Sequence, residues 1–156
     1  MTTADQHKVP MPDFTTTVDW HNSPDDALQS LAFVSNAMNA AVTLYLPWGV
    51  AIGTTISGEQ FFRGSAELLR STASDSPTDG SELMASNLLD ERAEGAAERQ
   101  QADPSELVHQ GHDTNAYLHL KDVTCAVGAG TLKQPYLRVK LTAVTAWAYG
   151  AFVETA

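Results

Sequence analysis

Cysteine is nearly absent from this chain: Cys125 stands alone among 156 residues. One thiol excludes an internal disulfide and any zinc site built from cysteines. Its place inside an alternating apolar pattern predicts a small buried hydrophobe rather than a reactive thiol. Cations are scarce as well. Nine Lys/Arg face nineteen Asp/Glu, a formal net charge of −10, and only Lys133, Arg138 and Lys140 come near one another along the chain. Proteins that hold nucleic acid through its phosphates need clustered Lys and Arg to release counterions. The charge balance therefore argues against nucleic acid, and equally against an anionic membrane surface. No apolar run approaches the ~20 residues needed to cross a bilayer. Residues 1–14 lack the basic-then-apolar order of a secretory signal. The expectation is a soluble cytoplasmic protein with no cofactor.

What the chain does contain is a contrast. Residues 74–113 carry ten Asp/Glu and two Arg, a net of −8, while the remainder is close to neutral and rich in strand patterns. At 43% hydrophobic residues the chain can build one ordinary core. Residues 1–19, with Pro10 and Pro12, read as a flexible arm. Ser23-Pro24-Asp25-Asp26 reads as a helix start, and Ala27, Leu31, Val34 and Met38, widened by Leu28 and Ala32, predict a helix over about 24–39. Val42 to Leu46 and Val50 to Ile56 alternate on either side of Pro47-Trp48-Gly49, the pattern of a hairpin. Phe61 and Phe62 are expected in an extended piece, and Ser65 to Ala73 in a short helix. Together 20–73 form the first half of the domain.

The acidic stretch 74–113 reads as a flexible insert. Leu83, Met84, Leu88 and Leu89 give it the option of an amphipathic helix over about 81–101. Residues 114–156 complete the domain as a long hairpin. Tyr117 to Val123 is one strand, with Leu118 and Leu120 on one face and His119 and Lys121 on the other. The loop 128–135 leads to an alternating run from Tyr136 to Tyr149, long enough that the strand must bend or bulge. The fold class expected is α+β: a small, strongly bent antiparallel sheet or barrel with an N-terminal helix, a second short helix and a long acidic insert.

Chemistry is thinly represented. His109, His112 and Asp113, with His119 nearby, offer zinc-type ligands, but no rigid element holds them and no metal is expected there. His119 beside Lys121 and Asp122 has the residue types of a general base, and its place on a strand facing away from Leu118 and Leu120 favours a partner-facing surface instead. Ser57-Gly58-Glu59 lacks the context of a hydrolase elbow, and Gly49, Gly53 and Gly58 match no phosphate-binding loop. No catalytic residue is assigned. Trp48, at the tip of the hairpin, is singled out as a contact residue. His119, Lys121, Arg138 and Lys140 join it as expected partner contacts.

Three pieces of the chain carry a family likeness. The first is the helix leading into Val42-Thr43-Leu44-Tyr45-Leu46, then Gly49-Val50, Ile56-Ser57-Gly58 and the pair Phe61-Phe62. The second is Tyr117-Leu118-His119-Leu120-Lys121-Asp122-Val123, and the third is Arg138, Leu141, Val144, Trp147 and Gly150. In this order they resemble the gas-vesicle accessory protein U family. The resemblance implies a non-catalytic cytoplasmic accessory factor that modulates vesicle assembly or clustering through self-association and shell contacts. Its implied partners are gas-vesicle structural or accessory proteins and further copies of itself. A second expectation stands beside it: an Sm-like small β-barrel that forms a ring and binds single-stranded RNA. The helix-then-bent-strands order suits that architecture, whereas the charge does not.

Overall fold

The computed structural model describes residues 25–72, 79–102 and 116–150. The arm 1–19, the cap at Ser23 and the trio His109, His112 and Asp113 lie outside the described residues.

Helix α1 spans Asp26–Val34, and its cap is Asp25, whose carboxylate accepts the Leu28 N–H at 2.9 Å. Its inward stripe is Leu28, Leu31 and Ala32, continued by Ser35. The expected stripe through Ala27, Val34 and Met38 is corrected: Val34 is 40% exposed and Met38 62%. For Met38 the reason is an early stop. The Ser35 hydroxyl donates back to the Leu31 carbonyl at 2.7 Å, and the chain turns over 35–37, so Met38 is never on the helix.

Strands β1 (Ala41–Leu46) and β2 (Gly49–Ile56) form the expected hairpin, in register from Ala41 opposite Thr54 to Leu46 opposite Gly49. The short extended piece expected at Phe61 and Phe62 is instead part of α2, Gly58–Thr72. Ser57 and Gln60 explain the early start. The Gln60 N–H donates to the Ser57 hydroxyl at 3.1 Å, and the Ser57 N–H donates to the Gln60 side-chain carbonyl at 3.2 Å. This reciprocal capping box satisfies two donors that would otherwise be orphaned.

Residues 79–101 are helical throughout: α3 (Asp79–Met84), a π-helical turn (Ala85–Asp90) and α4 (Glu91–Gln101). They pack on α2, and Phe62 and Ala66 of α2 are buried, as are Ala85 and Ala93. Arg70 fastens the far end of α2, reaching Glu82 at 3.0 Å and Asp90 at 2.6 Å.

The final hairpin departs most from expectation. Strand β3 runs Tyr117–Val127, and a two-residue turn at Gly128 and Ala129, with Gly128 at φ 58, returns the chain directly as β4, Gly130–Lys140. The loop expected over 128–135 is therefore largely strand. The strand expected to run from 136 to 149 ends at Lys140. A 3₁₀ turn, Leu141–Ala143, follows, and Ala146–Tyr149 forms a separate strand β5. Alternation persists in the sequence across this break, but the hydrogen-bond partner changes. The Leu141 N–H makes a last bond to the Ala116 carbonyl at 3.0 Å, after which the chain crosses to β1.

The result is one antiparallel sheet in the order β4-β3-β2-β1-β5. It is not closed, because β4 and β5 are opposite edges. It must nevertheless curl. Four interstrand spacings put the edges of a flat sheet about 19 Å apart. The link from Lys140 to Ala146 spans about 20 Å only if fully extended, and half of it is a 3₁₀ turn. Curling brings Leu141, Val144 and Trp147 across the concave face, where they meet α1 and the inward residues Val42, Leu44, Leu118, Leu120 and Val139. Cys125 is buried in the same core, and burial pushes its thiol up, away from reactivity.

A bulge keeps β3 in phase with this core. The β2–β3 register shifts between Ile52 and Thr54, where Asp122 adopts a φ of 53. The extra residue lets Leu120 and Val123 both turn inward. Gly53 sits across from it, and a Cβ there would crowd the Lys121 carbonyl and the Val123 side chain at 3.1 Å.

Candidate functional site

The convex face of β3 and β4 carries the most distinctive side chains. Antiparallel register sets three cross-strand pairs side by side: Tyr117 opposite Lys140, His119 opposite Arg138, and Lys121 opposite Tyr136. Each pair joins a basic side chain to an aromatic or imidazole ring. This follows from the period-two alternation of the two strands, which turns Leu118, Leu120, Leu137 and Val139 to the other face.

Helix α2 lies over part of this face. Phe61 and Phe62 enclose His119, with ring centroids 4.8 and 5.8 Å from the imidazole. Gly64 forms a notch on α2 into which the Tyr136 ring fits; a Cβ at Gly64 would collide with that ring. Among the described residues the buried His119 Nε2 has no hydrogen-bond partner. Burial, and secondarily the charge of Arg138, push this imidazole down to about 4, so it is neutral near neutral pH. The imidazole, neutral and set against two phenyl rings, is part of the packing between α2 and the sheet.

Arg138 rises beside it. Its guanidinium lies 3.7 Å from the Tyr117 ring centroid and 5.5 Å from that of Phe62. Arg92, on α4, approaches the same Phe62 ring at 6.0 Å. Burial pulls the Arg138 guanidinium below its ordinary range; Tyr117 opposes this, and the positive fields of Arg92 and Arg99 reinforce it. Three arginines thus gather at one place in an acidic chain. Arg63 and Arg70 are ion-paired to Glu59, Glu82 and Asp90, but Arg92, Arg99 and Arg138 make no ion pair among the described residues.

Of the five contact residues expected from the sequence, His119, Lys121, Arg138 and Lys140 share this face. Trp48 is elsewhere. It is 46% exposed in the β1–β2 turn, at the opposite end of the sheet, where Gly49 abuts the Ala126 carbonyl. Arg92 and Arg99 were not anticipated, because they stand in a stretch dominated by acids. Their spacing of seven residues, two turns on one side of a helix, was the available signal. Among the described residues no group of three or more His, Cys, Asp or Glu is placed to hold a metal ion, and no described helix is long and apolar enough to cross a membrane.

These features define a small α+β domain built on an open antiparallel sheet, with helices on both faces and a basic, aromatic surface. The model of the family described as gas vesicle protein GvpU-like matches residues 25–152, a span that contains every described element, and the chain belongs to that family. No curated protein matches the chain. No solved structure matches it either.

Proposed function

We propose that this protein is a non-catalytic cytoplasmic accessory factor of gas vesicles, modulating their assembly or clustering through self-association and contacts with the vesicle shell. Family membership supports the vesicle context. The observation that carries the mechanism is the open sheet with two unlike edges, β4 on one side and β5 on the other, which no described strand covers. A free strand edge presents unpaired N–H and C=O groups to another chain. Pairing of one edge with the other is head to tail and gives rings or filaments, whereas pairing of an edge with its own copy gives a closed pair. The β5 edge, Ala146-Trp147-Ala148-Tyr149, carries no charge, and Tyr149 is 69% exposed. Trp48 adds an exposed aromatic on the hairpin tip for the shell contact.

A proline at Tyr149 tests the edge. The Gly150 N–H bonds to the Ala41 carbonyl at 2.8 Å. By alternation along an antiparallel ladder, the Tyr149 N–H therefore points to the free side. Tyr149→Pro should leave the folded monomer intact by circular dichroism while reducing the assembled fraction in sedimentation velocity. Unchanged assembly would count against edge pairing. For the vesicle role, the tagged protein expressed in a vesicle-forming host should sediment or float with the vesicles and capture a shell protein. Absence of both would remove the proposal.

A further inference from the structure

We propose that Arg92 and Arg138, seated around the rings of Phe62 and Tyr117, together with Arg99 two turns further along α4, form a docking site for an extended acidic peptide segment of a partner protein. Charge economy favours a partner from outside the chain. The chain has nineteen Asp/Glu for nine Lys/Arg, so carboxylates to neutralise an arginine are plentiful. Arg63 and Arg70 take them, Arg70 from two acids at once. The trio does not, among the described residues, although holding three like charges together costs free energy. All three residues are exposed, Arg138 with its guanidinium partly covered, so a partner can reach them.

Geometry selects the ligand. Arg92 and Arg99 stand two helical turns apart, about 10 Å along α4, and Arg138 shares the Phe62 ring with Arg92. An extended chain, whose same-face carboxylates recur about every 7 Å, can meet separate arginines along such a row, whereas one compact anion cannot span it. The Tyr117 ring centroid lies 3.7 Å from the Arg138 guanidinium, and a guanidinium held against an aromatic ring can still grip a carboxylate in two-pronged fashion. Lys121 and Lys140 lie on the same sheet face and extend the positive field. The helix's own acids, Glu91, Glu94 and Glu98, fall on a stripe roughly a third of a turn away from the arginines. Nucleic acid is the less suitable occupant. Its dense charge meets the strongly acidic remainder of the protein, whereas a short peptide senses mainly what lies within a Debye length, about 8 Å in physiological salt.

Fluorescence anisotropy on the full chain decides this, independently of the vesicle and edge proposals. The probe is a labelled peptide of alternating glutamate and alanine. Controls are its glutamine counterpart and a single-stranded oligonucleotide of equal charge. The acidic peptide should bind, more weakly as salt rises, and the glutamine peptide should not. Arg138→Gln, and Arg92→Gln with Arg99→Gln, should each weaken binding at least about tenfold without changing the circular dichroism spectrum. Arg138→Lys, which keeps the charge and loses the two-pronged grip, should fall between. Failure of the acidic peptide to bind, wild-type affinity in the arginine variants, or tighter binding of the oligonucleotide would each overturn the assignment.

Discussion

His119 should make the helical layer sensitive to acid. His119 is neutral, wedged between α2 and β3, and held down to about 4 against an ordinary 6.5 by burial first and by Arg138 second. The unfolded chain therefore takes up the proton before the folded one does. Stability is full above about pH 6.5 and drains away as pH falls toward 4. Between pH 7 and pH 5 this single group should cost about 2 kcal/mol. Urea denaturation of wild type and His119→Gln at both pH values checks it: the variant should lose less stability on acidification, by about that amount. Equal losses would mean that the imidazole is protonated in the native state. Sequence alone placed His119 opposite the inward leucines, because strand alternation is strict. It could not show that Phe61 and Phe62 would bury it, because those rings come from a helix more than fifty residues away.

At the scale of elements, local signals and tertiary fit divide the work. Strands β1 and β2, the beginning of β3 and the existence of α1 were all legible in alternation and capping residues. The start of α2 was also written in the chain, as Ser57 followed three residues later by Gln60, but the aromatic pair after it looked extended. The docking of α2 on β4 depends on something no local pattern records, the notch at Gly64 that receives Tyr136. Gly64→Ala should raise helix propensity by about 1 kcal/mol and yet destabilise the protein by about 1–3 kcal/mol through overpacking. In a Tyr136→Ala background the same change should become neutral or favourable, and a double-mutant cycle by chemical denaturation measures the coupling. A stabilising Gly64→Ala in the wild-type background would show that the ring does not occupy the notch.

For the whole molecule, the decisive feature is the crossing from β4 to β5. It carries the chain from one edge of the sheet to the other and seals the core, with Leu141 only 1% exposed. Leu141→Ala should cost about 2–5 kcal/mol. Leu132, on the outer edge at 56% exposed, should cost no more than about 0.5 kcal/mol when truncated to alanine. Denaturation midpoints of the two variants test whether the sheet is held in its curl by this crossing. Comparable losses at both positions would show that it is not.

The sequence by itself determined the α+β class, the neutral strand-forming body with its acidic stretch, and the family, because periodicity, capping residues and short ordered motifs are properties of neighbouring positions. Only the tertiary structure decided where the long final run breaks, which strand becomes the second edge, and that two arginines of an acidic helix stand beside one from a strand. Those outcomes depend on which distant segments pair and pack. An alternating pattern fits either sheet neighbour equally well until the core selects between them.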